Sequence, residues 1–183
     1  MRITMWGTRG SIASPGKQTI KYGGNTTCVT VSPDNSMGNA LIIDAGTGVR
    51  ILGGEIIRSS APVNQNIIFT HTHWDHIQGF PFYLPAFDAK NEIEIYACAK
   101  NSGSIKERLL SQMDTKNFPI TPDALKARLE FKTFCDSIEL NNISIKTLEL
   151  NHPGSGIGLR FEKDGKSAAF ITDHELSEEP YAG

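Results

Sequence analysis

Four short apolar runs in this chain each deliver an imidazole or a carboxylate just past their last residue, and no other feature restricts the fold as tightly. Leu41-Ile42-Ile43 leads to Asp44, residues 66–70 to His71, residues 145–151 to His152, and residues 168–172 to Asp173. Strands laid side by side with one polarity bring such ends to a common rim, where loops on a rigid scaffold commonly carry function. The same texture, β-branched runs bounded by Gly, Pro, Asn or Asp, predicts strands at 2–6, 26–31, 40–44, 66–70, 92–97, 143–150, 156–162 and 167–172. Helices are expected at 48–59, 76–87, 102–113 and 122–129, the last with Thr121 as N-cap and Pro122 at its first position. Strands and helices alternate early and strands dominate late, which predicts a layered α/β (α+β) domain.

The 183 residues suit one domain spanning 1–183. No apolar run approaches the roughly 18–20 residues of a membrane span, and no apolar stretch follows Arg2 as a signal peptide requires, so a cytoplasmic location is expected. The net charge of −2 does not suggest binding to long nucleic acid by bulk electrostatics. Its distribution is uneven, because residues 1–33 hold Arg2, Arg9, Lys17 and Lys21 but no acid. That segment could suit an anionic ligand or be a solvated surface. Cys28, Cys98 and Cys135 are odd in number and have no C-x-x-C spacing, which argues against a disulfide framework or a cysteine zinc knuckle.

Three of the five histidines fall in Thr70-His71-Thr72-His73-Trp74-Asp75-His76, an H-x-H-x-D-H run. In extended chain, His71 and His73 point the same way. Asp75 and His76 follow at a turn into a helix, so the run can feed two adjacent metals. His152 can close the first triad, and the Asp173 carboxylate can bridge two cations. Imidazole with carboxylate suits Zn, Mn, Fe, Co or Ni. Two other motifs fail. Asp44-Ala45-Gly46-Thr47-Gly48-Val49-Arg50-Ile51 lacks the third glycine of a dinucleotide fingerprint and reads as a tight strand-to-helix turn. No G-x-S-x-G supports a serine nucleophile.

These residues resemble the metallo-β-lactamase fold superfamily. The matching elements are Asp44 within 41–48, the H-x-H-x-D-H at 71–76, His152 in Asn151-His152-Pro153-Gly154, and Asp173 in Ile171-Thr172-Asp173. More narrowly, residues 6–12 (WGTRGSI) and 22–29 (YGGNTTCV) resemble a bacterial branch related to ribonuclease Z and the phosphonate-pathway cyclic phosphodiesterases. The resemblance implies an αββα sandwich of two sheets with helices outside and a dinuclear site at one edge. It implies His71, His73 and His152 at one metal, Asp75 and His76 at the other, Asp173 bridging, and Asp44 orienting ligands. The implied cofactors are two divalent metal ions, zinc first, with manganese or iron as alternatives. The family pattern has a further histidine after the Asp173 element, whereas none follows His174 here. The expectation is therefore a chain missing its carboxy-terminal part, with a weak or empty second metal site. Apolar edge would then be exposed along the last strands or covered by a neighbouring chain, which makes a homodimer a candidate assembly.

The implied activity is that of a metal-dependent hydrolase. The favoured substrate is a small phosphodiester such as a cyclic nucleotide, attacked by a hydroxide held at the metals, with Asp75 and Asp173 as the catalytic carboxylates. Arg9, Ser11 and Asn25 are candidates for holding the substrate phosphate. Nucleic acid is the less favoured partner, and no membrane is expected. The alternatives are an ester, thioester or lactam hydrolase on the same metals, and a non-catalytic metal- or nucleotide-binding module. Trp74 is expected to pack and fix its loop, and His174 to be an exposed loop histidine.

Overall fold

A computed structural model describes residues 1–34, 37–58, 61–98 and 104–176. Two sheets form its frame. The larger has six strands in the order β1 (Arg2–Gly7), β2 (Cys28–Ser32), β3 (Leu41–Ile43), β4 (Asn64–Phe69), β5 (Glu92–Cys98) and β6 (Arg128–Phe134). Its first two pairings are antiparallel and the remaining three are parallel. The smaller is antiparallel, with four strands in the order β10 (Lys166–Phe170), β9 (Ile157–Lys163), β8 (Ile143–Glu149) and β7 (Ser137–Leu140).

Period-two alternation sends side chains of the large sheet to two separate cores. Leu41, Ile43 and Ile68 face the small sheet and pack with Ile143, Ile145, Leu159 and Phe161. Ile42, Ile67 and Phe69 face the other way, towards α1 (Gly48–Ile57), α2 (Trp74–Ile77) and α3 (Ile105–Ser111), which contribute Leu52, Ile77 and Leu109 among others. Buried on both faces, β3 reads as an unbroken apolar run, while β2 is buried along its whole length and carries Thr30 and Ser32 among its apolar residues. Among the described residues the helical layer lies on the six-stranded sheet. On the small sheet's outer face, Leu148 and Ile171 are 60% and 55% exposed.

The four site-bearing strands are divided between the two sheets rather than lying side by side in one. β3 and β4 are parallel neighbours in the large sheet, while β8 and β10 flank β9, each antiparallel to it, and so share a direction. Each sheet therefore presents two strand ends. Asp44 and Asp173 leave their strands in the left-handed region, with φ of 59° and 53°, a conformation in which Asp is enriched among non-glycine residues.

Several element boundaries also differ. The helix expected at 76–87 is the short α2 followed by 3-10 turns at Phe80–Phe82 and Leu84–Phe87, because Pro81 and Pro85 cannot donate to a helical ladder. The helix expected at 122–129 is a 3-10 turn over Pro122–Ala124, and Arg128 already begins β6. For the helix expected at 102–113, residues 102 and 103 lie outside the described residues. Ser104 caps α3 by accepting from the Glu107 N–H.

Candidate metal centre

Asp44 organises the rim. Its carboxylate has no exposure and accepts from the Thr70 N–H at 2.8 Å and the Thr70 hydroxyl at 2.9 Å. It also lies 2.8 Å from His76 Nδ1. Because the Thr70 hydroxyl donates to Asp44, its oxygen is left to accept from His71 Nδ1, 3.1 Å away. Both imidazoles thus have their Nδ1 partnered, which turns each Nε2 toward the same space.

Two donor sets result. His71, His73, His152 and Asp173 place one ligand atom each within 4.8 Å of one another, as do Asp75, His76 and Asp173. Asp173 Oδ2 is 3.3 Å from His71 Nε2, 2.9 Å from His76 Nε2 and 4.0 Å from His152 Nε2. His152 Nε2 is 2.9 Å from His73 Nδ1, and His76 Nε2 is 3.6 Å from Asp75 Oδ2. Ligand bonds of about 2.0 Å in tetrahedral geometry put donor atoms about 3.3 Å apart, so these spacings fit a metal. A second observation agrees. His71 Nε2 is buried with no hydrogen-bond partner, despite the nearby Asp173, so its lone pair is aimed at the gap rather than at the carboxylate. The residues present fit two divalent cations sharing Asp173.

Glycines let the loops approach closely. Gly46 lies on the Asp75 backbone, where an added Cβ would stand 2.2 Å from the Asp75 carbonyl oxygen. Gly154, at φ 92°, lies against His73 Nε2, where a Cβ would come within 3.0 Å. Gly46→Ala is therefore expected to displace the start of α2 and lower unfolding stability by about 1–3 kcal/mol, as overpacking does. Denaturant titration of the metal-free chain checks this, and an unchanged midpoint would remove the close approach from the explanation.

The expected phosphate-holding residues separate into different places. Ser11, at φ 65°, donates its backbone N–H to Asp75 Oδ2 at 2.8 Å, so its part in the site is to position Asp75. Asn25 ties loops together, accepting the Thr8 and Arg9 N–H groups on its carbonyl oxygen and the Thr47 hydroxyl on its side chain. Arg9 is exposed and lines a cleft of about 410 Å³ with Gln18 and Tyr22. Trp74 does not pack as expected. It begins α2 with its ring turned to solvent, 72% exposed. His174 is half-buried rather than exposed, and its Nδ1 accepts the Asn151 N–H at 3.2 Å, which steadies the loop carrying His152. Thr70 escaped the sequence reading, although it stands directly before His71 and a hydroxyl there can bond the preceding strand's Asp. Cys28 and Cys98 are buried, and burial pushes the Cys28 thiol well up, out of reactive range.

Electrostatics divide the histidines. Burial lowers His71 to about 4, with the neighbouring His76 acting in the same direction. Burial also works against charge on His76, but the Asp44 carboxylate outweighs it and raises His76 to about 9. Both act on the metal-free chain. His71, lowered in the fold, costs stability as pH falls from its unfolded value near 6.5 toward 4. His76, raised in the fold, contributes stability that is complete below about 6.5 and lost as pH rises through about 9. Unfolding midpoints in chelator are expected to be highest near pH 6.5 and lower at pH 4.5 and pH 9. A midpoint still rising between pH 6.5 and 9 would contradict the Asp44–His76 pairing.

A two-sheet sandwich with its helices outside and a histidine–carboxylate cluster at one rim is the arrangement of the metallo-β-lactamase fold. The chain belongs to the β-lactamase superfamily domain family, whose profile matches residues 39–182. It is 25% identical to a ribonuclease Z of Haloarcula marismortui over 185 aligned positions, covering 99% of this chain and 53% of that protein. Among solved structures it is similar to the metallo-β-lactamase fold protein YhfI from Bacillus subtilis, with a TM-score of 0.61 and 15% identity over 91% of this chain and 60% of that one. It is also similar to the short form of human tRNase Z, with a TM-score of 0.60 and 16% identity over 93% of this chain and 68% of that one. The chain thus spans about half the length of its curated relative. Among the described residues, no helix is long and apolar enough to cross a membrane.

Proposed function

We propose that this chain carries the metal-binding core of a hydrolase that cleaves phosphodiesters, with a small one such as a cyclic nucleotide as the preferred substrate. The observation that carries this reading is the position of Asp173 Oδ2, 3.3 Å from His71 Nε2 and 2.9 Å from His76 Nε2, which makes one carboxylate common to both donor sets. His71, His73, His152 and Asp173 would hold one cation; Asp75, His76 and Asp173 would hold the other. Two such ions, when bound, acidify water and neutralise phosphate oxygens during in-line displacement.

The chain's own groups prepare that chemistry. Ser11 and Asp44 fix Asp75 and His76 from behind, so the donors are oriented before substrate arrives. Asp75 and Asp173 are the carboxylates that would position the attacking oxygen nucleophile. The guanidinium of Arg9 offers paired donors to a phosphate. An RNA substrate is the second reading, favoured by the names of the ribonuclease Z and tRNase Z relatives and by the exposed Tyr22 beside Lys21.

The test is hydrolysis of bis(p-nitrophenyl) phosphate against a chromogenic lactam and a thioester, each with added zinc or manganese. Phosphodiester turnover is expected, with competition by a cyclic nucleotide. Cleavage of the lactam or thioester with none of the phosphodiester would overturn the reading. Stronger competition by an RNA oligonucleotide, weakening steeply with salt, would shift it to the second.

A further inference from the structure

Trp74 lies in the chain between two candidate metal ligands, His73 and Asp75, and its ring stands in solvent. It forms one wall of a cleft of about 640 Å³. Phe82, half exposed, forms part of the lining and is braced edge-on against Phe118 with ring centres 5.4 Å apart. Gln78, Gln112 and Asn117 also line it. Gln78 spends its amide nitrogen on the Thr26 hydroxyl, and Gln112 spends its own on the Ile77 and Leu109 carbonyls. Each therefore has a fixed side-chain carbonyl to offer, while the Asn117 amide is exposed. Among the described residues, no charged side chain lines this cleft.

That combination suits a flat, neutral ring with polar edges and does not suit a phosphate. We infer that the Trp74 cleft is a nucleobase subsite: the base stacks on Trp74 while the phosphodiester it carries lies at the histidine–carboxylate cluster. The inference rests on the phosphodiesterase reading for the identity of the substrate and deepens it by naming what the substrate bears. Trp74 and Phe82 provide the stacking faces, and the amides of Gln78, Gln112 and Asn117 meet the base edge. Base–aromatic stacking is strong enough to govern affinity and tolerant enough to accept more than one base.

Calorimetric titration of the zinc-loaded chain with adenosine 5′-monophosphate, and with ribose 5-phosphate as the ring-free control, tests it. The nucleotide is expected to bind more tightly than the control and to quench emission from Trp74. Trp74→Ala is expected to weaken nucleotide binding by about 5- to 150-fold, with ribose 5-phosphate binding and metal content unchanged. Trp74→Phe should restore part of the loss, and Phe82→Ala should lower nucleotide affinity in the same selective way. Equal affinities of wild type for the two ligands, or nucleotide binding unaltered by Trp74→Ala, would overturn the subsite. Selective nucleotide binding in a chain that cleaves no phosphodiester would instead overturn the reaction and leave the subsite standing.

Discussion

Replacing Asp173 by alanine is expected to abolish metal-dependent hydrolysis and to empty both donor sets at once. Its Oδ2 is common to them, and no other described carboxylate belongs to both. Loss of groups that merely orient ligands costs about 10- to 100-fold in metal affinity or activity, so loss of a shared ligand should exceed about 100-fold. The variant should still fold, because Asp173 is exposed and follows the end of β10 rather than filling a core. Metal content by mass spectrometry and a denaturation curve together check this. Two ions retained per chain, or unchanged turnover, would show that the carboxylate is not a ligand.

Substitution of Asp44 is expected to act differently, through stability as well as chemistry. The carboxylate is fully buried and bonded to Thr70 and His76. Asp44→Ala leaves the buried His76 imidazole and the Thr70 N–H without their acceptor. Removing one partner of a buried charged pair costs about 3–5 kcal/mol. The change should also release His76 from its orientation and weaken metal binding by about 10- to 100-fold. Asp44→Asn should retain more stability, since it keeps the shape and one acceptor oxygen, while losing the charge that holds the His76 proton. Denaturant midpoints, and the pH dependence of stability near pH 9, separate the two variants. Equal behaviour of Ala and Asn would mean that Asp44 acts through packing alone.

The rim was legible because its strands are short, apolar and β-branched, and because their polar ends break that pattern abruptly at Asp44, His71, His152 and Asp173. What the sequence hid was long-range. Membership of two different sheets depends on pairing partners far along the chain, which periodicity does not encode. β6 went unseen because RLEFKTF alternates charge with apolar residues, as an edge strand does, while Thr121 and Pro122 before it mimic a helix start. There Lys132 pairs with Glu94 and Glu130, which solvates the sheet's last strand. β7 is only Ser137–Leu140, and its hairpin with β8 turns through Asn141 and Asn142, both at positive φ. That Asn pair was a turn signal in plain sight.

The site was less legible than its candidate ligands. His71, His73, Asp75 and His76 declare themselves by spacing, but the Ser11 N–H bonded to Asp75 is a backbone group and leaves no trace in side-chain identity. Trp74 was misplaced for a related reason. A tryptophan inside a ligand run reads as packing, and only the three-dimensional cleft shows its face in solvent.

Anomalous diffraction at the zinc edge from a zinc-loaded crystal tests the shared-carboxylate site most directly. Two peaks about 3.5–4 Å apart are expected, one among His71, His73 and His152, the other beside Asp75 and His76, with Asp173 between them. No peak at these residues, or a single peak that Asp173 does not touch, would contradict it.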